Sequence, residues 1–305
     1  MSQTCRLNIL GSGSALPKAT AFPTSQILEM RGHEFMIDCG EGAQIRMREY
    51  GTKYSRINHI FISHLHGDHC FGLPGMISSM AMLGRTADIT IHSFVELNDI
   101  MGPLFDFSLS DFPFKVIIEP FEKETTDIIF EDRSIVVRTI PLQHRVPCSG
   151  FLFEEKEGVR HLNKRMIDAY EVPVREYQAI KRGADFVTPE GEVVRNSRLT
   201  SAPTPAKRFA YMSDTIYSEK YLDMVRGVDC LYHESTFLSS DGEKILARQH
   251  SSAQQAAIFA RKADVKQLIL GHYSARYNSV EPFLQEARET FANTEAARDG
   301  DIFDF

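Results

Sequence analysis

Apolar and polar positions alternate along the chain in short runs, and the runs predict strands more often than helices. Residues 7–10, 26–30, 34–38, 59–63, 88–92, 115–118 and 135–140 carry the compact apolar or two-residue pattern of strands. The Arg31-Gly32 pair predicts a tight turn between two of them and hence an antiparallel start. Helical spacing interleaves at 43–50, 75–83 and 95–104. The second half repeats the theme: 209–212, 230–233 and 267–270 are short apolar strands, each followed by helix-like sequence at 218–225, 251–263 and 280–291. Strands mixed with helices throughout predict an α/β sandwich in which helices cover the outer faces of sheets. A length of 305 residues suits one large domain, residues 1–305.

The rhythm breaks between about 151 and 207. That stretch is charged and weakly periodic, with turn signals at Pro173, Gly183, Pro189-Glu190-Gly191 and Pro203-Thr204-Pro205. It is expected to be an inserted excursion, of the kind that serves as a lid or a binding arm.

Charge sharpens this picture. The net charge of −7 does not by itself favour a nucleic-acid partner. Its distribution is uneven: residues 156–182 hold seven Lys/Arg against four Asp/Glu, and 195–208 hold four basic residues and no acidic ones. A local basic zone on an acidic protein can dock a phosphate backbone, although a solvated charged surface reads the same way. No apolar run approaches the length of a membrane span, and residues 1–6 lead into a strand without a signal-peptide pattern. Five scattered cysteines with no CxxC pair argue against a disulfide framework and for a reducing cytoplasm.

The densest chemistry lies at His64-Leu65-His66-Gly67-Asp68-His69, between the strand-like run ending at Ser63 and a turn feeding a helix. Four metal-capable side chains on one tight loop can build a metal centre with open positions. Their spacing lets His64 and His66 point one way and Asp68 and His69 toward a second position. Three more candidate ligands follow strand-like runs: His144, Asp214 and His272. Each alone is weak, since an Asp after a strand is as often a helix N-cap. Together the seven N/O ligands, with no cysteine among them, suit two Zn2+ or Mn2+ ions.

These motifs, in this order, resemble the metallo-β-lactamase superfamily: the loop at 64–69, His144, Ser213-Asp214-Thr215 and Gly271-His272. The segments Tyr232-His233-Glu234-Ser235-Thr236-Phe237, His250-Ser251-Ser252-Ala253 and His272-Tyr273-Ser274-Ala275-Arg276-Tyr277 resemble bacterial ribonuclease Z more particularly. The resemblance covers nearly the whole chain. It implies a four-layer αββα sandwich with a protruding arm, and an endoribonuclease that trims the 3′ end of precursor tRNA in the cytoplasm. It implies a first metal held by His64, His66, His144 and Asp214, a second held by Asp68, His69, His272 and the same Asp214, and two Zn2+ per subunit, with Mn2+ as the alternative. Asp68 is then also the proton acceptor, His250 the general acid and Glu234 the residue that orients it. Arg276 is expected to meet a substrate phosphate, whose geometry an Arg fork matches, with a rim salt bridge as the alternative. The arm implied by the family falls at 172–183, with Tyr177, Lys181 and Arg182 as tRNA contacts. A homodimer is implied too. The chain departs from the family pattern in two places: no Gly-Pro pair precedes Tyr177, and the loop 17–23 lacks a Lys-x-Arg-Asn pattern.

Two other functions stay open at this level. A small-molecule hydrolase of the same fold, such as an arylsulfatase, cyclic phosphodiesterase or thioesterase, would share the metal loop. A non-catalytic tRNA-binding protein would keep the arm, but such relatives lose metal ligands.

Overall fold

The computed structural model describes residues 5–109 and 112–305. The expectation for the opening residues 1–4 therefore lies outside the described residues. In chain order the first half forms β1 (Arg6–Gly11), β2 (Ser25–Met30), β3 (His33–Ile37), α1 (Ala43–Glu49), β4 (Ile57–Phe61), α2 (Gly67–Cys70), α3 (Leu73–Met82), β5 (Ile89–Ser93), α4 (Glu96–Leu109) and β6 (Val116–Pro120). Then come β7 (Ile128–Glu131), β8 (Ile135–Leu142) and β9 (Cys148–Glu155). The arm carries β10 (His161–Leu162), α5 (Lys164–Ala169), α6 (Tyr177–Lys181), β11 (Phe186–Val187), β12 (Val193–Val194), α7 (Asn196–Leu199) and β13 (Thr200–Ser201). The chain closes with β14 (Arg208–Met212), β15 (Cys230–Glu234), α8 (Glu243–Arg248), α9 (Ala253–Lys262), β16 (Leu268–Gly271), α10 (Glu281–Arg288), β17 (Thr294–Ala296) and β18 (Ile302–Asp304).

Two seven-stranded sheets result, ordered β18-β1-β2-β3-β4-β5-β6 and β17-β16-β15-β14-β9-β8-β7. Each is antiparallel on one side and parallel on the other, the change falling at β3 and at β14. The β2–β3 hairpin turns through Arg31 and Gly32, both left-handed at φ 51° and 84°, the geometry that matches strand twist. Strands buried on both faces explain the continuous apolar runs. Phe35, Ile37 and Phe61 face the second sheet, where Phe151, Phe153, Tyr211 and Tyr232 meet them. The alternate residues Met36 and Ile60 face outward, under Met47, Met76, Ile77 and Leu97 of α1, α3 and α4. On the other side α9 and α10 lay Ala256, Phe259 and Phe283 over Leu231 and Leu270. The layers are therefore helix, sheet, sheet, helix. Helix α9 begins with a capping box in which Ser252 and Gln255 exchange hydrogen bonds.

Two expectations need correction. Residues 151–155 belong to core strand β9, so the excursion starts only after Glu155, and it returns at Lys207, whose carbonyl accepts from the Glu155 N–H at 2.9 Å. Within the excursion, Ile167, Val172, Ile180, Phe186, Val194 and Leu199 form a core of its own. Residues 218–225 form a 3-10 turn at Glu219–Tyr221 rather than a helix. Tyr221, Val225 and Val228 are buried at helix-like spacing, but Gly227 (φ 67°) ends the segment before it is long enough to sustain a helix. Among the described residues no helix is long and apolar enough to cross a membrane.

Candidate metal centre

The side chains that the sequence singled out converge at one edge of the two sheets. Strand β4 delivers Ser63 and His64 from its end, and α2 carries Asp68 and His69 one turn later. The loop after β8 supplies His144, the loop after β14 supplies Asp214, and His272 directly follows β16. Gly40 allows the β3–α1 loop to lie against this segment, since a Cβ there would come within 2.6 Å of the Asp68 carbonyl.

Two groups of ligand atoms form. In the first, His64, His66, His144 and Asp214 bring their donor atoms within 4.8 Å of one another, and Asp68, His69 and His272 do the same in the second. Asp214 faces both: its Oδ2 lies 3.5 Å from His64 Nε2 and 3.7 Å from His144 Nε2, and its Oδ1 lies 3.1 Å from His272 Nε2 and 3.5 Å from His69 Nε2. Asp68 Oδ2 sits 3.4 Å from His272 Nε2 and 3.5 Å from His69 Nε2.

The far nitrogens of the imidazoles are tied down. His69 Nδ1 meets Asp38 Oδ2 at 2.8 Å, His144 Nδ1 meets the Gln249 carbonyl at 2.9 Å, His272 Nδ1 meets Thr236 Oγ1 at 2.9 Å, and His64 Nδ1 meets Ser63 Oγ at 3.1 Å. Such partners set the tautomer and aim Nε2 inward, as metal-binding histidines require. The residues present fit divalent cations. Asp214 Oδ1 and His144 Nε2 are buried without a hydrogen-bond partner, a costly state that a cation relieves. Electrostatics agree. Burial opposes charge on His69, but Asp68, Asp38 and Asp214 around it push its imidazole well toward protonation, so the cluster calls for positive charge. Burial, with His69, His66 and His144 close by, holds His64 far below its ordinary pKa, which leaves it neutral and able to ligate. Asp38 and His272 are both left-handed, at φ 54° and 61°, a conformation that costs a non-glycine residue about 1–2 kcal/mol.

At the rim stands His250, 9% exposed, with Nδ1 2.9 Å from Glu234 Oε1. Glu234 is fully buried and also accepts from the Thr215 N–H at 2.9 Å and from Thr236 Oγ1 at 2.7 Å. Burial disfavours a charged His250, yet Glu234 and then Asp214 outweigh it and raise its pKa to about 9. His250 also lies near enough to Asp214 and His272 to make a third group of potential ligands. The whole arrangement opens into a cavity of about 370 Å3 lined by His66, Asp68, Arg145, Asp214, His250 and His272, among others.

A set of His and Asp ligands with a His–Glu pair at its edge does not by itself name a substrate, and relatives narrow the choice. The chain is 51% identical over 293 residues to ribonuclease Z of Bacteroides thetaiotaomicron, an alignment covering 96% of this chain and 93% of that one. The chain belongs to the ribonuclease Z family. The solved human tRNase Z, short form, matches with a TM-score of 0.69 at 24% identity, covering 98% of both chains. The metallo-β-lactamase fold protein YhfI from Bacillus subtilis matches with a TM-score of 0.69 at 14% identity, covering 99% of this chain and all of that one. These two likenesses show the metallo-β-lactamase fold. Residues 5–111 also match the family model described as anti-Pycsar protein Apyc1.

Other residues expected to serve a ribonuclease Z lie elsewhere. Arg276 does not line the metal cavity; it pairs with Asp241 at 2.9 Å and covers the Phe237 ring at 5.2 Å. Tyr177 packs half-buried against the arm core, while Lys181 and Arg182 sit at the end of α6 with Arg182 exposed. Sequence reasoning passed over Asp38, Thr236 and Arg145. For Asp38 a signal existed: an acid directly after a buried strand and before Cys39-Gly40.

Proposed function

We propose that the chain binds precursor tRNA and hydrolyses the phosphodiester that joins the tRNA to its 3′ trailer, leaving a 3′-hydroxyl on the tRNA and a 5′-phosphate on the trailer. Membership of the ribonuclease Z family supports an endoribonuclease acting on tRNA, and the observation that carries the chemistry is Asp214 shared between two ligand groups with His250–Glu234 beside them. His64, His66, His144 and Asp214 would hold one divalent cation, and Asp68, His69, His272 and Asp214 the other; we take both to be Zn2+, with Mn2+ as the alternative. Bound there, such ions lower the pKa of water and neutralise phosphate oxygens.

The chain's own groups do the rest. Asp68 has one carboxylate oxygen toward His272 and His69 and lines the open cavity, so it can accept a proton from the attacking water. His250 is held protonated by Glu234 through Nδ1, which leaves Nε2 free to protonate the departing 3′ oxygen. Thr236 joins the two halves, donating to Glu234 while contacting the Nδ1 atoms of both His250 and His272.

The arm, with Lys181 and Arg182 exposed or half-exposed at its α6 end, would grip the tRNA body, with Tyr177 as a packing residue beneath them. Arg276, paired with Asp241, would meet phosphate only at the rim. We read the arm as an insertion in a single domain of residues 1–305 and the enzyme as a cytoplasmic homodimer. Five buried free thiols suit a reducing compartment, and Ile45, Phe71, Met82 and Leu83 expose apolar surface near α1 and α3 that a second copy could cover. The deciding experiment incubates purified protein with a precursor tRNA carrying a 3′ trailer, with and without chelator. The expected result is one metal-dependent cut with the stated end groups. An intact RNA alongside hydrolysis of a thioester or cyclic nucleotide would overturn the reading.

A further inference from the structure

Loop 144–147 carries more chemistry than the ligand His144. Arg145, the next residue, lines the metal cavity and is its one guanidinium or ammonium group. It also lines the adjoining cavity of about 720 Å3 bounded by Pro141, Leu142, Pro147 and Tyr221. Its side chain is exposed and, among the described residues, no hydrogen bond or ion pair holds it. Arg276 is engaged with Asp241, Arg46 with Glu49 and Asp299, and Arg85 with three backbone carbonyls; the surface carries other unpaired arginines, such as Arg133 and Arg182, but none of them lines the metal cavity. A free guanidinium projecting into a cavity that also contains Glu41, Asp68 and Asp214, and bonding to none of them, is a group kept for an incoming anion.

Val146 and Pro147 continue the loop and wall a second, apolar slot of about 210 Å3, with Leu65, His66 and Phe94 among its other lining residues. The Lys123–Glu96 ion pair also lines the slot. His66 lines both the slot and the metal cavity, so whatever fills the slot lies next to the reacting bond. A flat, amphipathic ring suits walls of this kind, and a base held by apolar contact is held with little regard for its sequence.

We propose that loop 144–147 forms a nucleotide subsite, in which Arg145 pairs with the phosphate flanking the cleaved one and the slot between Leu65, Phe94, Val146 and Pro147 receives the base of that nucleotide. This rests on the reading of the chain as an RNA phosphodiesterase. Guanidinium and phosphate oxygens match in a two-bond fork, which fixes the strand across the centre and positions the scissile group.

The test compares the metal-loaded wild type with Arg145→Ala and Arg145→Lys on precursor tRNA and on bis(p-nitrophenyl) phosphate, which has no flanking nucleotide. Arg145→Ala should lower kcat/KM on precursor tRNA about tenfold more than on the small diester, the size of one charge-assisted contact. Most of that loss should appear in KM, and Arg145→Lys should recover part of it. Precursor RNAs with one uncharged methylphosphonate at each phosphate flanking the cut then locate the contact: one of them should penalise the wild type and add nothing to Arg145→Ala. An abasic residue at that nucleotide should weaken the wild type, and Val146→Trp, which fills the slot from its half-exposed wall, should erase that difference. Equal losses on both substrates, or a methylphosphonate penalty that persists in Arg145→Ala, overturns the subsite while leaving the function intact. A wild type that hydrolyses the small diester but never cuts precursor tRNA overturns the function and the subsite with it.

Discussion

Replacing Asp38 by Asn removes one charge from beneath the metal centre while keeping shape, and the left-handed backbone at φ 54° is one that Asn tolerates as well as Asp. The carboxylate is fully buried and accepts four hydrogen bonds: Oδ1 from the Ser63 N–H at 2.7 Å, Oδ2 from Ser63 Oγ at 2.8 Å, Tyr211 OH at 2.7 Å and His69 Nδ1 at 2.8 Å. An amide has one acceptor oxygen. Placed at Oδ2 it satisfies three donors and turns its NH2 against the Ser63 N–H; flipped, it opposes the other three. The less costly choice leaves one buried donor facing another donor, about 1–3 kcal/mol, and weakens the remaining bonds by losing the charge. For a chain of this length that is a fall in Tm of a few degrees in the chelator-treated protein. The larger consequence is directional. His69 loses the anion that fixes its Nδ1–H, so the cation shared by Asp68, His69 and His272 should bind about 10–100-fold more weakly. The first group, anchored by Gln249 and Ser63, should keep its affinity. Competition against a chromophoric chelator resolves the two equivalents, and Tyr211→Phe, which removes one donor of four, should show a smaller Tm change and near-native affinity. Two native affinities in Asp38→Asn beside a lowered Tm would make Asp38 a packing acid and refute its role in aiming His69.

His250→Ala should retain both metal equivalents and lose about 10²–10⁴-fold in cleavage rate on precursor tRNA; an unchanged rate would remove it as the general acid. Excising residues 157–206 and closing β9 onto β14 with a short glycine link, across ends already joined by the Glu155–Lys207 hydrogen bond, should raise KM for precursor tRNA by more than it slows a small diester, and equal effects would deny the arm a role in grip. Light scattering at micromolar concentration should give a dimer, which Met82→Glu with Leu83→Lys dissociates; a monomeric wild type would refute the proposed interface. His59 and His92 face each other at 3.1 Å, and burial, then neighbouring positive charge, holds their pKa values near about 4 and about 3 against 6.5 in the unfolded chain. The unfolded state therefore binds more protons over that interval, so the folded state is not penalised above pH 6.5 and loses stability as the pH drops toward 4. His92→Gln should flatten the dependence of Tm on pH between 4 and 6.5, and an unaltered slope would assign the acid sensitivity to other groups.

What could be read from the chain tracks how local each feature is. The loop at 64–69 was legible because four candidate ligands, the turn glycine and the preceding strand fall within a dozen residues. His144, Asp214 and His272 were legible only as polar residues at strand ends, and it took two sheets ending at one edge to gather them. The atoms that aim them were harder to read: Asp38 shows as an acid after a buried strand, but its partner His69 is 31 residues away, Thr236 is 36 from His272, and the partner of His144 is a backbone carbonyl 105 residues away, a group every residue has. The arm looked aperiodic for a different reason. Its helices run four to six residues and its strands two, so no window is long enough to show a period, although six buried side chains hold it together. Charge had the same weakness: Arg276 and Arg145 are equivalent as letters, and only folding gives Asp241 to one and leaves the other facing the metal cavity. A cation's meaning lies in whether it is paired, which depends on contacts far apart in the chain, so motif spacing finds a metal centre more readily than the residues that hold its substrate.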